Sequence, residues 1–321
     1  MKKEMTISVA MATYNGERFL KEQLHSIENQ KLLPDEMVIC DDGSTDDTEK
    51  IVRTFADRSR IAVHYHRNEN NLGYARNFFQ AIGMTRGEII FLSDQDDLWA
   101  PEKTAHMAKI LRQHPEILVL ASSFSLIDEQ NHTKRSLEDV ARKGVFRISW
   151  ENFLRHPKYM GMLLAVRREV YEEVLRRETE SGAEDEWKKL PHDWRLCEYA
   201  SERNGFYKTG ERLAYYRQHG KNTVGSILNA DVDILKHRCE LVKNELQEFT
   251  VLEKTLRCRN ETDEERMRYL RRMILFCEKR YRLLSEEHFL RLAFWNYGHL
   301  RFISFRAATG DLFVLMRKKR S

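Results

Sequence analysis

The segment EIIFLSDQDDLW, residues 88–99, is the most informative part of the sequence about the fold. A short apolar run, Ile89–Leu92, is followed at once by acidic residues, Asp94, Asp96 and Asp97. An uninterrupted apolar run of this kind, bounded by polar residues, is typical of a strand buried on both faces of a parallel sheet. We therefore predict a buried strand at Ile89–Leu92 with three carboxylates at its carboxyl end.

Strands and helices alternate on both sides of this stretch, over residues 1–125. The further apolar runs that predict strands are Ile7–Ala12, Met37–Cys40, Ile61–Tyr65 and Leu118–Ser122. Apolar residues at three- and four-residue steps predict helices at Glu17–Glu28, Asp46–Ala56, Tyr74–Met84 and Glu102–Arg112. This alternation predicts an α/β fold with a mostly parallel sheet covered by helices. Ligands bind such sheets beyond the carboxyl ends of the strands.

The rest of the chain has a different pattern. Residues 126–225 are mixed, with strand-like pieces at Met162–Val166 and Leu213–Arg217, and the chain beyond Asn229 is helical. A boundary near Gly225–Asn229 therefore predicts two domains. Residues 1–225 form the first, with a ligand-binding half over about 1–125 and a second half over about 126–225, and residues 226–321 form a helical region with a basic tail.

Composition excludes several classes of protein. Hydrophobic residues make up 41% of the 321 residues, which is enough for a core and excludes a wholly disordered chain. No apolar run approaches the ~20 residues that cross a bilayer. The five cysteines form no CxxC pair, which argues against a disulfide framework or a zinc knot and favours a cytoplasmic location.

Charge is distributed unevenly along the chain. Residues 1–225 carry a net charge of −2 and residues 226–321 carry +6. From Arg266 onward there are 14 Lys and Arg against four Asp and Glu. The aromatic residues of Phe289–Met316, with the basic run at 317–320, suit either a helix lying on the inner face of an anionic membrane or a helix packed on its neighbours.

The acidic cluster has two interpretations. Asp97 could cap the next helix, with Pro101 in its first turn. That role leaves Asp94 and Asp96 unexplained, because neighbouring carboxylates repel one another unless they share a cation or are solvated. The Asp-x-Asp pattern at a strand end therefore predicts a site for Mg²⁺ or Mn²⁺, which take oxygen ligands and commonly bind substrate phosphates.

The segment DDGSTDDT, residues 41–48, also has two interpretations. It contains turn and N-cap residues that start the following helix. A carboxylate here could also accept a hydrogen bond from the ring N–H of a uracil or thymine, with Tyr14 stacked on the base. The sequence contains neither the G-x-G-x-x-G nor the P-loop motif, which argues against a dinucleotide cofactor and a P-loop site.

Seven ordered segments together resemble a known family. They are SVAMATYNGERFL, ICDDGSTDDT, NLGYARN, FLSDQDDLW, GMLLAVRRE, LPHDWRL and YRQHGKN. The chain resembles glycosyltransferase family 2, the inverting nucleotide-sugar transferases with a Rossmann-like GT-A fold. The SDQDD and HDW forms are most similar to bacterial cell-surface polysaccharide enzymes, such as rhamnosyltransferases.

The resemblance implies a role for each matching donor-site residue. The Ala12 backbone and the Tyr14 ring would line the nucleoside pocket, and Asp42 would accept a hydrogen bond from the base. Arg76 would lie near the base or the diphosphate. Asp94 would approach the ribose or the metal ion.

The resemblance also implies the reactive groups. Asp96 would be the principal ligand of Mn²⁺ or Mg²⁺, and His219 a further metal or diphosphate contact. Asp193 matches the position of the family's catalytic base. From local sequence alone, Asp193 could equally cap a helix, and His219 could be an ordinary loop histidine.

The resemblance implies a hexosyltransferase that moves a sugar, from dTDP-rhamnose or a UDP-sugar, onto a glycan or polyprenyl-linked acceptor of the cell envelope. Two alternatives stay open. A sugar-nucleotide nucleotidyltransferase would also use carboxylates and Mg²⁺, but the Gly-rich phosphate loop expected near its first strand is missing. A nucleic-acid-binding protein could use the basic tail, but the acidic strand ends would repel phosphates.

Overall fold

The protein is described by a computed structural model that covers residues 5–134, 143–157, 159–182, 184–187, 190–220, 234–258, 262–303 and 305–318. The predicted boundary near Gly225–Asn229 lies outside the described residues. The chain divides into two compact units. The sheet unit comprises Met1–Trp150, Lys158–Arg176 and Lys188–Asn222, and the helical unit comprises Glu151–Pro157, Arg177–Trp187 and Thr223–Ser321. The division of function between them stays a prediction.

The strands of the described part of the chain join one mixed sheet. They are β1 Ile7–Thr13, β2 Glu36–Asp41, β3 Ala62–Arg67, β4 Ile89–Ser93, β5 Leu98–Trp99, β6 Val119–Ile127, β7 Thr133–Lys134, β8 Val145–Arg147, β9 Leu164–Arg167 and β10 Phe206–Arg217. Their order is β3-β2-β1-β4-β9-β6-β10-β5, with β7 paired to β6 and β8 to β10.

The helices cover this sheet and form the second unit. They are α1 Leu20–Glu28, α2 Thr48–Ala56, α3 Tyr74–Met84, α4 Lys103–Gln113, α5 Trp150–Arg155, α6 Arg168–Glu180, α7 Glu184–Trp187, α8 His192–Glu202, α9 Ile234–Cys258, α10 Glu264–Ser285, α11 Phe289–Gly298 and α12 Phe305–Lys318. None of the described helices is long and apolar enough to cross a membrane.

Parallel pairing at the centre of the sheet brings three strand ends together. β1 pairs in parallel with both β2 and β4, and its residues Met11 and Thr13 lie opposite Ser93 and Asp41. Every residue of β1, β2 and β4 is buried, because helices cover both faces of the sheet. The polar segments after these strands therefore share one edge, as the sequence predicts.

The predicted elements of residues 1–125 are confirmed in order and type. The later predictions need two corrections. The strand predicted at Met162–Val166 begins as a 3₁₀ turn at Gly161–Leu163 and continues as β9, which lies antiparallel between β4 and β6. The stretch Phe289–Met316 is divided between α11 and α12.

The helical unit has its own apolar and ionic core. Leu292 of α11 and Leu315 of α12 are buried together with residues of α9 and α10. Asp311 of α12 is fully buried and accepts hydrogen bonds from Arg280 at 2.7 Å and Arg238 at 2.6 Å. A buried carboxylate is stable when it is paired in this way. One face of α12 is therefore packed on its neighbours within this unit.

Candidate active site

The acidic loop, residues 94–97, leads from β4 into the short strand β5. β5 pairs antiparallel with β10, and the buried Asp97 carboxylate accepts a hydrogen bond from the backbone N–H of Arg217 at 2.9 Å. α4 begins only at Lys103, with Glu102 at its N-cap. The prediction that Asp97 caps this helix is therefore wrong, because pairing of β5 extends the loop and separates Asp97 from the helix.

Gln95 connects the acidic loop to the end of β1. Its Oε1 accepts hydrogen bonds from Thr13 Oγ1 at 2.6 Å and from the Tyr14 N–H at 2.9 Å, and its Nε2 donates to the Tyr14 carbonyl at 3.1 Å. A Cβ at Gly16 would lie 2.4 Å from Gln95 Oε1, so a larger residue there would displace the Gln95 amide. Sequence reasoning missed this contact, although Gln95 stands between the two predicted ligands.

The carboxylates of the acidic loop are crowded. Burial, together with the charges of Asp96 and Asp193, raises the pKa of Asp94 to about 8, while Lys103 opposes the shift. Burial also raises the pKa of Asp97 well above its usual range, with Asp96 and Asp94 acting in the same direction. Desolvation and repulsion thus favour the protonated forms, and a cation beside these groups would favour the charged forms.

His219 reaches the acidic loop from the segment after β10. Its Nε2 lies 2.8 Å from Asp96 Oδ2, and its ring centroid lies 5.0 Å from that of Phe19. The fully buried Arg217 donates from Nε to the Asp96 carbonyl at 2.8 Å and from Nη2 to Glu22 at 2.9 Å. Two residues of β10 and its extension therefore fix the loop that carries Asp96. Residues 221–222 of the HGKN motif lie outside the described part.

The side chains of Asp96, Asp97 and His219 are chemically suited to bind a hard divalent cation. Asp96 Oδ2 and His219 Nε2 are adjacent, and Asp97 Oδ2 is buried without a hydrogen-bond partner among the described residues. Within those residues no three His, Cys, Asp or Glu side chains are already arranged around one point. Mg²⁺ is commonly bound through one or two carboxylates together with substrate phosphates, so the residues present fit an ion that is completed by a diphosphate.

Asp193 lies in the first turn of α8, whose N-cap is Pro191. It is therefore not the cap of this helix. Its carboxylate accepts a hydrogen bond from the Trp194 N–H at 2.8 Å and another from the amide of Gly161. Burial raises its pKa to about 6, and these amides oppose the shift. Because Asp193 also raises the pKa of Asp94, the two carboxylates lie close enough to interact electrostatically.

His192 is buried beside Asp193 and packs flat on Phe78, with the ring centroids 4.0 Å apart. Burial lowers the pKa of His192 to about 3, and Arg195 adds to the shift. The imidazole is therefore neutral, and it belongs to the core of the protein rather than to an exposed loop. Trp194 and Trp99 are also buried, so they act as core residues rather than as exposed platforms for a sugar.

The predicted nucleoside residues lie at neighbouring strand ends. Ala12 belongs to β1, and the Tyr14 side chain after it is 49% exposed. Asp42 follows β2 and is buried, and Oδ2 of Asp42 accepts from the Gly73 N–H at 2.8 Å. Arg76 is exposed in the first turn of α3 and makes no hydrogen bond or ion pair within the described residues.

Asp42 has a structural task that sequence reasoning did not predict. Its Oδ1 accepts from the Leu72 N–H at 2.7 Å and from Asn68 Nδ2 at 2.8 Å, in addition to the contact with Gly73. A carboxylate has about four acceptor positions, and three are used here. Asp42 therefore shapes the loop before α3, and its contact with a nucleobase stays a prediction.

Comparisons with known proteins agree with this arrangement. A family model described as "Glycosyl transferase family 2" matches residues 8–175. An uncharacterized protein of Mycobacterium tuberculosis, Rv1520, is 28% identical over 216 residues, which are 66% of this chain and 59% of that protein. The abequosyltransferase RfbV of Salmonella typhimurium is 32% identical over 115 residues, 35% of this chain and 34% of RfbV. The chain thus spans less than two thirds of these curated relatives.

Solved structures share the fold. The structure of residues 1–349 of S. aureus TarS in complex with UDP-GlcNAc has a TM-score of 0.58 at 16% identity and covers 98% of this chain and 92% of its own. The structure of GalNAc-T7 with UDP, GalNAc and Mn²⁺ has a TM-score of 0.51 at 14% identity. The match covers 68% of this chain and 45% of the GalNAc-T7 chain. The predicted GT-A-type α/β fold with a helical C-terminal region is thereby confirmed.

Proposed function

The chain belongs to glycosyl transferase family 2, and from this premise we propose that it transfers a sugar from a nucleotide-diphosphate sugar to a glycan or lipid-linked acceptor, with inversion. The observation that carries this proposal is the convergence of Asp193 and the acidic loop. A half-buried carboxylate at the start of α8 raises the pKa of Asp94, and His219 Nε2 lies 2.8 Å from Asp96 Oδ2. The acidic loop with His219 suits a leaving diphosphate, and Asp193 suits an attacking hydroxyl.

The acidic loop would serve the leaving group. In the reaction, the bond between the anomeric carbon and the diphosphate oxygen breaks, and the electron pair goes to the diphosphate. Asp96 would be the main ligand of Mn²⁺ or Mg²⁺, with Asp94 and His219 as neighbours. A bound dication stabilises the charge that develops on a departing phosphate. Asp96 and His219, 2.8 Å apart, are held for this role by Phe19 and Arg217.

Asp193 would serve the attacking group. An acceptor hydroxyl has a pKa far above 7, so it needs a base as it forms the new bond to the anomeric carbon. The pKa of Asp193, about 6, keeps the carboxylate charged at neutral pH yet more basic than an ordinary aspartate. Attack on the face opposite the diphosphate inverts the anomeric centre, and the proton moves to Asp193.

The nucleoside would bind at the ends of β1 and β2. Tyr14 offers an exposed ring next to the Ala12 backbone, and Gln95 fixes the Tyr14 main chain. Arg76, exposed in the first turn of α3, is free to meet the base or the diphosphate. The remaining acceptor position on Asp42 suits the ring N–H of a uracil or thymine, so UDP- and dTDP-sugars, including dTDP-rhamnose, are the favoured donors.

A thermal-shift panel tests the donor proposal. We expect a UDP- or dTDP-sugar to raise the melting temperature in the presence of Mn²⁺, and less without it, because stabilisation grows with ligand excess over the dissociation constant. ADP-sugars serve as the matched control, since adenine has no ring N–H to donate to Asp42. A larger shift with ADP-sugars, or none with any donor, would contradict the proposal.

The alternatives are less well supported. A nucleotidyltransferase would need a Gly-rich phosphate-binding loop after its first strand, and the segment after β1 has no such sequence. A nucleic-acid-binding role would place phosphates beside carboxylates that already repel one another. Neither alternative gives Asp193 a task.

We propose further that the helical unit contacts an anionic membrane surface peripherally. Exposed residues of α10 follow one helical face at steps of four and three, namely Arg268, Arg272, Leu275, Lys279 and Arg282. On α11, Leu290 is 69% exposed and Phe294 is 81% exposed. The two faces adjoin, because the Lys279 ammonium lies 4.3 Å from the Trp295 ring centroid. Apolar side chains flanked by cations suit anionic lipid.

Vesicle sedimentation tests the membrane proposal. The double variant Leu290→Ser/Phe294→Ser should lose about tenfold or more of its partition to vesicles that contain phosphatidylglycerol, because two apolar side chains no longer enter the bilayer. Leu175→Ser, on an exposed apolar residue of the sheet unit, is the matched control and should bind as the unmodified protein does. Equal binding of all three proteins, or binding to neutral vesicles alone, would count against the proposal.

A further inference from the structure

Lys103 is a buried lysine that the reaction described above leaves without a role. It is the first residue of α4, and its exposed fraction is 0%. Its Nζ donates a hydrogen bond to the carbonyl of Met162 and lies 4.3 Å from the Trp99 ring centroid. A lysine in water would be more stable than a buried one without partners, so this position needs a reason.

The Lys103 ammonium interacts electrostatically with two carboxylates of the acidic loop. Burial lowers the pKa of Lys103 to about 7, and Asp97 and Asp94 oppose the shift. The same lysine lowers the pKa of both aspartates. The Nζ that donates to the Met162 carbonyl also lies 4.3 Å from the ring of Trp99 in β5, the strand that directly follows the acidic loop. Lys103 thus partly offsets the repulsion within the loop.

The opposite contact of Lys103 leads to Asp193. Met162 belongs to the 3₁₀ turn Gly161–Leu163, which precedes β9. The amide of Gly161, one residue before Met162, donates to the Asp193 carboxylate. A Cβ at Gly161 would lie 2.5 Å from His192 Nε2, so the turn approaches α8 as closely as glycine allows. Holding the Met162 carbonyl therefore holds the amide that orients Asp193.

We propose that Lys103 is the positioning residue that ties the turn Gly161–Leu163 to the acidic loop and thereby fixes Asp193 relative to the metal and diphosphate side of the pocket. This inference rests on the proposed function, because it takes Asp193 to be the catalytic base. Lys103 itself touches neither donor nor acceptor. It acts through the Met162 carbonyl and the Gly161 amide.

Lys103→Met tests the proposal, since methionine keeps the length and the apolar stem but removes the charge and the donors. We expect kcat to fall by about 100-fold, which is the scale of a 1 Å misplacement of a catalytic group. The KM for the nucleotide sugar should change by less than about threefold, because Lys103 lies outside the nucleoside contacts. Hydrogen exchange should quicken in peptides that cover residues 160–164 and stay unchanged in those that cover α2.

A double-mutant cycle separates positioning from general stabilisation. If Lys103 acts through Asp193, Lys103→Met should lower the residual activity of Asp193→Asn by less than about threefold, because interacting residues are not additive. An equally large loss in both backgrounds would overturn the proposal, and so would unchanged exchange at residues 160–164. Should the methionine variant not fold, Lys103→Leu, which also removes the charge and the donors, carries the same expectations.

The outcomes also separate this inference from the proposed function. If Asp193→Asn transfers sugar at the unmodified rate, the base assignment fails. If Asp193→Asn is inactive and Lys103→Met is fully active, the base assignment survives and the role of Lys103 is disproved.

Discussion

Replacing Asp193 by Asn is expected to lower the rate of sugar transfer by about 10²–10⁴-fold, the usual contribution of a general base. The amide has nearly the shape of the carboxylate, and its oxygen can still accept from the Trp194 N–H. The Asn variant should therefore fold and bind the nucleotide sugar nearly as the unmodified protein does. What it loses is the capacity to take the proton from the acceptor hydroxyl.

The pH dependence of kcat checks the same assignment. Asp193 must be deprotonated to act as a base, and its pKa is raised to about 6 by burial. Activity should consequently be full above this pH and fall as the pH drops through about 6. The acidic limb should disappear in the residual activity of Asp193→Asn.

An exposed aspartate provides the matched control. Asp57 follows α2 and is exposed, so Asp57→Asn makes the same chemical change away from the pocket. It should leave both the rate and the pH profile unchanged. Full activity of Asp193→Asn, or an acidic limb that persists in it, would remove Asp193 from the role of base.

Replacing Asp96 by Ala is expected to have the second large effect. Loss of this carboxylate leaves His219 without its 2.8 Å partner and removes the main proposed ligand of the dication. Donor affinity in the presence of Mn²⁺ should fall by more than about 100-fold, since even partners outside the ligand shell change metal affinity by 10–100-fold. Calorimetric titration with UDP- or dTDP-sugar measures this directly.

The metal dependence of binding distinguishes a ligand from a structural residue. In the unmodified protein, removing Mn²⁺ with a chelator should weaken donor binding, and in Asp96→Ala it should make little further difference. Asp57→Asn again serves as the control and should keep the Mn²⁺ effect. Asp96→Ala with unchanged affinity and an intact Mn²⁺ effect would place the ion elsewhere.

The shared edge of the sheet was predictable because it depends on local pattern. Apolar runs at Ile7–Ala12 and Ile89–Leu92 alternate with helical segments, and parallel pairing follows from that alternation. The polar residues after each run then meet without further information. Gln95, which stands between Asp94 and Asp96, meets Tyr14 at this edge because β1 and β4 are adjacent.

The supporting contacts were not predictable, because they join segments that are far apart in sequence. Lys103 has the sequence context of an ordinary surface lysine near a helix start, and its burial depends on the Met162 carbonyl 59 residues away. In the sequence, Gln95 only separates the two predicted ligands Asp94 and Asp96. In the structure, it accepts hydrogen bonds from Thr13 and Tyr14 across the sheet edge. Sequence periodicity indicates which face of a helix or strand is apolar, but it does not indicate hydrogen bonds between segments that are far apart in the chain.

The antiparallel insertion of β9 had no local signal either. The apolar pattern of a four-residue strand does not indicate whether it pairs parallel or antiparallel. The place of β9 between β4 and β6 is set by tertiary pairing. That insertion carries the turn Gly161–Leu163 to Asp193, so half of the pocket follows from topology. The seven matching motifs indicated Asp193 through the resemblance alone.

Anomalous diffraction from crystals soaked with Mn²⁺ and UDP or dTDP is the most direct test of the account. Manganese is expected within coordination distance of Asp96 and of the diphosphate, with the base near Tyr14 and Asp193 on the far side of the vacant sugar position. Nucleotide bound in another cavity, or manganese bound away from Asp96 while the acidic loop stays free of both, would contradict the account.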